Sequence, residues 1–262
     1  CKAAEESNAS RPLASPRVSP LAPKPTHFPA RAKRVVFLFM QGGPSHVDTF
    51  DYKPAMVRHN GEMRAFDDAR ALAKTRKDVE HRVPWKFRQH GESGRWVSEL
   101  FPHFAKHVDD LCLVQSMHTE GVAHGPATLF MHTGAINQVR PSMGAWVQYG
   151  LGAENQNLPG FMSICPSMGN GGPRNWSNAF LPTAYQGTTV GRAGIPASEA
   201  RIRNLTNDQL SAAAMRKQFE LMKRMNAQQA GALGHDAELD AVIESFELAG
   251  RIQDTAPGMS SL

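Results

Sequence analysis

The stretch RVVFLFMQGG, Arg34 to Gly43, constrains the fold of this chain more than any other segment. From Val35 to Met40 it is unbroken β-branched, aromatic and aliphatic sequence with no polar position on either face. Such a run predicts a strand buried on both sides, as in a parallel sheet covered by helices. Gly42 and Gly43 end it. What precedes it has the opposite texture: residues 1–32 are rich in Ala, Ser and Pro, and Pro12, Pro16, Pro20, Pro23, Pro25 and Pro29 interrupt any helical or strand pattern. This segment reads as an extended tether leading to a folded body over 33–262.

Further units of the same kind follow. Ser98 is an N-cap for a helix through His107 with Leu100, Phe104 and Val108 inward, although Pro102 sits awkwardly at the end of its first turn. Asp109 and Asp110 then turn the chain into a strand, LCLVQS, Leu111 to Ser116. Pro126 opens a helix through His132 that Gly134 terminates. A helix over Ser142 to Tyr149 and a third strand over Phe161 to Cys165 complete the alternation, which predicts an α/β fold with a mainly parallel sheet. Two long amphipathic helices, Thr206 to Gln229 and Asp236 to Gln253, close the chain; Leu210, Met215, Phe219, Met222 and Met225 mark the inner face of the first. The Gly-, Pro- and Asn-rich stretch from Pro166 to Gly194 is too long for a simple connection and predicts a functional loop.

Composition removes several classes of function. The 262 residues are 41% hydrophobic and 20% charged, enough to bury a substantial core, and the net charge of +5 is spread along the chain without a basic block. A nucleic-acid partner is therefore not expected, since no basic stripe interleaves with aromatics. No apolar run approaches the length of a membrane helix. Cys1, Cys112 and Cys165 form no C-x-x-C pair and argue against a zinc ribbon or a disulfide scaffold. Cys1 at the first position is either the lipidated residue of a mature lipoprotein or the edge of a fragment, the second being the simpler; in both cases a signal peptide is expected upstream.

Two segments carry the chemistry. QGGPSHVDTFD, Gln41 to Asp51, follows the first predicted strand, and the carboxyl ends of parallel strands are where ligands bind. His46, Asp48 and Asp51 there are the donors a divalent cation would use, while the plainer alternative has Gly42 and Gly43 making a turn and Ser45 or Asp48 capping a helix. HTEGVAHGPATLFMHTG, His118 to Gly134, follows the second. His124 falls just before the helix opened by Pro126, where unpaired N–H groups and the positive end of the dipole favour an anion. His118, Glu120 and His124 are alternatively metal donors, and His132, within the helix, is expected to be a partly buried structural side chain. His103 and His107, four apart, lack a HExxH glutamate and are expected at the surface.

At these residues the chain resembles a bacterial family designated domain of unknown function 1501. The likeness runs from PLAPKPTHFPARAKRVVFLFMQGGPSHVDTFDYKP through VPWKFRQHGESGRWVSELFPHFAKHVDDLCLVQSMHTEGVAHGPATLFMHTG to RPSMGAWVQYGLGAENQNLPGF. The resemblance implies a three-layer αβα sandwich similar to alkaline phosphatase and the sulfatases, of which 33–262, with its helical segment 206–253, is the N-terminal part. Sulfatases place a formylglycine-forming cysteine two residues before a proline and ten before a glycine; against Pro126, Thr133 and Gly134 that position is His124. Histidine attacks phosphorus or acts as a base for water but cannot become formylglycine.

Gln41-Gly42 stands where the superfamily has a metal-binding aspartate, so that either Asp48 replaces it from deeper in the loop or the site has lost its metal; His46 and His118 are the further donor candidates of the two loops. Gly125, Ser45 and Gly43 are the anion-binding candidates, and the superfamily's later Asp-His ligands lie in a portion beyond Leu262. The function expected is a metal-assisted hydrolase of sulfate or phosphate esters using a divalent ion (zinc, calcium or magnesium), with a catalytically degenerate anion- or glycan-binding module as the alternative. The expected partner is an anionic ester, a sulfated polysaccharide being one such class, and the expected location is the periplasm or cell surface.

Overall fold

The computed structural model describes residues 19–65, 78–80, 84–203, 209–233 and 236–255. The chain divides into two compact units, Arg34–Asn137 and a second built from Cys1–Lys33 with Gln138–Leu262. The architecture is mixed α/β, with strands only in small two-stranded sheets among the described residues.

In the unit Arg34–Asn137, two short helices, α1 (His46–Thr49) and α2 (Pro54–Arg58), precede four strands. Strand β1 (Met63–Ala65) pairs antiparallel with β2 (Asp78–Glu80), and β3 (Phe87–His90) with β4 (Arg95–Ser98), Phe87 opposite Ser98 and His90 opposite Arg95. The tight link between β3 and β4 needs left-handed backbone at both ends, supplied by Gly91 at φ +67° and Gly94 at φ +62°. A Cβ at Gly91 would lie 2.3 Å from an Asp109 carboxylate oxygen, because that carboxylate accepts the Glu92 and Ser93 N–H groups at 2.9 Å each. A small core of Val97, Ala105 and Val108 is flanked by Phe50 and Phe101.

This unit corrects three expectations. Val35 to Met40 is extended but forms no strand ladder among the described residues, and Val35, Val36 and Leu38 are 73–79% exposed. Leu111 to Ser116 likewise forms no ladder among the described residues, and Ser116 has left-handed backbone at φ +62°. A strand exists only where a neighbour accepts its hydrogen bonds, and hydrophobicity cannot supply that neighbour. The helix expected from Ser98 is instead a 3-10 segment, Phe104–Asp110, kinked at His107; Ser98 ends β4, and Pro102 delays the helical start. Its inward residues are Ala105 and Val108, whereas Leu100 and Phe104 are exposed at 40% and 42%. Helix α3 (His124–Thr133) does form, ended by Gly134 in the left-handed region, whose N–H donates to Phe130 O at 2.8 Å.

In the second unit, the N–H and Oγ of buried Ser142 both donate to Ser177 O and fix the start of helix α4 (Met143–Leu151). Strand β5 (Met162–Ile164) pairs in parallel with β6 (Thr188–Val190), Met162 beside Thr188. The long segment between them, expected as a loop, is the crossover that a parallel pair requires, and it carries two 3-10 turns, Gly172–Trp176 and Thr183–Tyr185. This is the single parallel pairing among the described residues, so the expected mainly parallel sheet is replaced by one parallel and two antiparallel pairs.

Helices α5 (Ala212–Leu233) and α6 (Ala237–Thr255) match the predicted amphipathic pair; residues 204–208, where the first was expected to begin, lie outside the described residues. On α5, Met215, Phe219 and Met222 are half-buried, while Leu210, just ahead of the helix, and Met225 are exposed. The core of this unit joins Leu21 to Ala145, Leu181, Ala184 and Tyr185 and to Ala241, Leu248 and Ile252 of α6. Leu21 is only 2% exposed, and the Leu21 carbonyl accepts the Ala153 N–H at 2.8 Å. Residues 19–24 are thus docked rather than a free tether; residues 1–18 lie outside the described residues.

Candidate functional site

The first turn of α3 is the best-formed of the expected features. Ala123 precedes the helix in extended conformation with no side-chain cap, and Pro126 contributes no N–H. Ala127 N–H donates to Ala123 O at 3.0 Å, while the backbone N–H groups of His124 and Gly125 have no protein acceptor among the described residues. Two donors therefore point out of the positive end of the helix beside an exposed imidazole. The loop before it is packed close: a Cβ at buried Gly121 would lie 2.6 Å from the Ala127 nitrogen, so this glycine, not singled out from the sequence, lets the loop lie against the turn.

The loop over 41–51 is organised around α1. Gly43 has φ +74° and donates its N–H to Met40 O at 3.1 Å, making the turn that the plainer reading assigned to the glycines. Ser45 precedes α1 as its N-cap, using its carbonyl, which accepts Thr49 Oγ1 at 2.9 Å, rather than its hydroxyl. His46 is exposed and its Nε2 lies 3.9 Å from Asp51 Oδ2, but that oxygen is held by Lys53 Nζ at 2.8 Å. Asp48 is half-buried in α1. His118 and Glu120 are exposed in irregular chain.

Among the described residues no three His, Cys, Asp or Glu side chains come together as a cation-holding group. His46, Asp48 and His118 are not joined in one donor set, and Asp51 already has a cationic partner in Lys53. As arranged, these side chains do not fit a divalent ion, which needs several converging oxygen or nitrogen donors.

His132 has the structural role expected of it. Its ring meets Phe37 and Phe39 edge-on, with centroids 5.4 and 4.8 Å away, and burial holds its pKa below the ordinary histidine value. His103 and His107 are at the surface. Cys112 is exposed and Cys165 half-buried, and both are free thiols. No helix among the described residues is long and apolar enough to cross a membrane.

One feature went unseen in the sequence. Tyr52 and Trp96 stack with centroids 4.3 Å apart, and beside them Asp51, Arg95, Leu113 and Gln115 line a recess of about 300 Å³. Its signal, in retrospect, was the pair of glycines around Glu92 and Ser93, which marks the hairpin that presents Trp96.

The chain therefore combines a mixed α/β architecture with an anion-compatible helix terminus. Residues 32–262 match the model of a family described as Protein of unknown function (DUF1501), and the chain belongs to that family. Neither a curated protein nor a solved structure matches it.

Proposed function

We propose that this chain supplies the anion-binding part of a hydrolase of sulfate or phosphate esters, within a three-layer αβα sandwich of the alkaline phosphatase and sulfatase type. The observation that carries this reading is the first turn of α3, with two N–H groups that have no acceptor among the described residues, beside the exposed His124 imidazole. Ester oxygens would accept from His124 and Gly125 N–H, where the helix dipole favours the charge that accumulates during transfer. Ser45 and Gly43 are the further anion contacts of the proposal.

His124 serves as a base or as the nucleophile. As a base, its imidazole takes a proton from water while the water oxygen bonds to sulfur or phosphorus and the ester oxygen departs. As nucleophile toward phosphorus, its imidazole nitrogen bonds to phosphorus as the ester oxygen leaves with its electron pair, and water then breaks the nitrogen–phosphorus bond to release phosphate. A divalent ion, zinc, calcium or magnesium, belongs to the proposal as a requirement of turnover; Asp48, His46 and His118 would hold it only in an arrangement that brings them together, which the described residues do not have, and no step above runs through it. An exported protein at the periplasm or cell surface, acting on sulfated polysaccharide, fits this chemistry.

The test is hydrolysis of aryl sulfate and aryl phosphate by the full chain, before and after chelation and metal replacement. His124→Ala is expected to lower turnover by about 10²–10⁴-fold, the usual contribution of a positioned acid or base. Turnover equal to that of the parent would refute the role of His124. A second reading, a module that binds glycans without turnover, is favoured by the aromatic recess at Trp96. It is distinguished by saturable glycan binding in a protein that hydrolyses neither ester.

A further inference from the structure

The recess beside β4 has a composition that narrows its ligand. Tyr52 stacks on Trp96 and also lies 5.3 Å from Phe87, centroid to centroid, so this small aromatic group is braced from behind. Trp96 nevertheless stays 38% exposed and lines the open side. Around it stand three polar groups of different kinds. Asp51 accepts hydrogen bonds and is paired with Lys53. Arg95 has no hydrogen bond or ion pair among the described residues, which leaves its guanidinium donors available. Gln115 donates from Nε2 to Phe50 O at 3.4 Å, leaving its Oε1 free to accept. Arg95 also acts on the Asp109 carboxyl, so its guanidinium serves the rim as a directional donor fork rather than as an uncompensated charge.

We propose that this recess is a saccharide subsite, in which one pyranose ring of an anionic glycan lies on Trp96 and its carboxylate or sulfate is taken by Arg95. A flat apolar ligand would strand the carboxylate, guanidinium and amide without partners, at a desolvation cost. A simple inorganic anion would leave the indole uncovered. A pyranose has an apolar C–H face for the indole and hydroxyls that both donate and accept, which is what Asp51, Arg95 and Gln115 together require. The guanidinium fork suits a planar carboxylate or a sulfate through paired hydrogen bonds. At about 300 Å³ the recess lies at the lower end of ligand pockets, roughly 300–1,000 Å³, consistent with one ring of a longer chain rather than a whole ligand. The subsite deepens the ester-hydrolase reading and rests on it only for the anionic character of the glycan.

The experiment titrates the full chain by calorimetry with chondroitin 4-sulfate tetrasaccharide, oligogalacturonate, cellotetraose and AMP. The two anionic saccharides are expected to bind, cellotetraose more weakly, and AMP not at all. Trp96→Ala is expected to weaken saccharide binding by at least about tenfold, and Arg95→Gln to remove the preference for anionic over neutral saccharide. Near-ultraviolet circular dichroism checks the fold. Should Trp96→Ala unfold the hairpin, Arg95→Gln and Gln115→Met, both at the rim, decide the matter.

The subsite is overturned if no saccharide binds at millimolar concentration, if AMP binds in their place, or if folded variants bind as the parent does. Ester turnover without saccharide binding would sink the subsite and leave the hydrolase reading standing; saccharide binding without turnover would do the reverse.

Discussion

Replacing Leu21 by alanine tests whether the proline-rich start of the chain is part of the fold. Leu21 is 2% exposed and packs with Ala145, Leu181 and Tyr185 and with α6 residues Leu248 and Ile252. Removing a buried leucine side chain costs about 2–5 kcal/mol, made of lost transfer energy and the cavity left behind. The short docked segment can relax into part of that cavity, which places the expectation in the lower half, about 2–3 kcal/mol. With a urea slope of about 1–3 kcal/mol per molar, the midpoint falls by about 0.7–3 M. Phe28→Ala, at a side chain 81% exposed, is expected to leave it unmoved. Gly152→Ala attacks the same dock from the other side, because its φ of +74° disfavours a side chain and its Cβ would lie 2.0 Å from Ala22 O. If Leu21→Ala unfolds at the parent's urea midpoint, the segment is a tether after all and the docking is refuted.

Two predictions concern pH. Asp109 is held below the usual carboxylate range, first by the Ser93 side chain and then by the Ser93 and Glu92 N–H groups. Its clamp on the β3–β4 turn is therefore complete above the unfolded value near 3.8 and lost as pH falls through the lower folded one; Asp109→Asn should speed hydrogen exchange at the Glu92 and Ser93 amides at neutral pH. His132 is shifted down by burial, so the folded state favours the neutral ring, and stability complete above pH 6.5 declines as pH drops below it toward the folded value. His132→Phe, which keeps a ring against Phe37 and Phe39, should remove that part of the decline in urea titrations between pH 7 and 5. An NMR titration placing the His132 pKa at or above its ordinary value would contradict the cause given.

Local signals were readable where the deciding physics is local. Pro126 marks the first turn of α3, which begins two residues earlier at His124, and Gly134 ends it; Ser142 opens α4, and the spacing of Met215, Phe219 and Met222 marks the inner face of α5. The run Val35 to Met40 misled because a strand is defined by a partner that the run itself does not encode. The β3–β4 hairpin escaped because only Val97 and Ser98 of its eight strand residues are buried, which leaves almost no alternation to read. Leu21 was hidden among prolines, since one apolar anchor makes no periodic pattern. At the candidate site, the placement of His124 at a helix start followed from its neighbours. Whether His46, Asp48 and His118 share a donor set depends on tertiary structure, and in the described residues they do not.

The core that joins Leu21 to Leu248 and Ile252 spans almost the whole sequence, with Arg34–Asn137 inserted between its two parts. On the ribosome, where chains emerge at about 5–20 residues per second, the inserted unit is complete long before the helix that covers Leu21. The apolar side chains of Leu21, Ala145 and Tyr185 must wait uncovered for the last element of their own core. Closing so long a loop is slow more than it is unfavourable, because its entropy grows only as the logarithm of its length. A nascent chain of this protein is therefore expected to pass through a stage in which Arg34–Asn137 has emerged while the other unit still lacks the helix that completes its core.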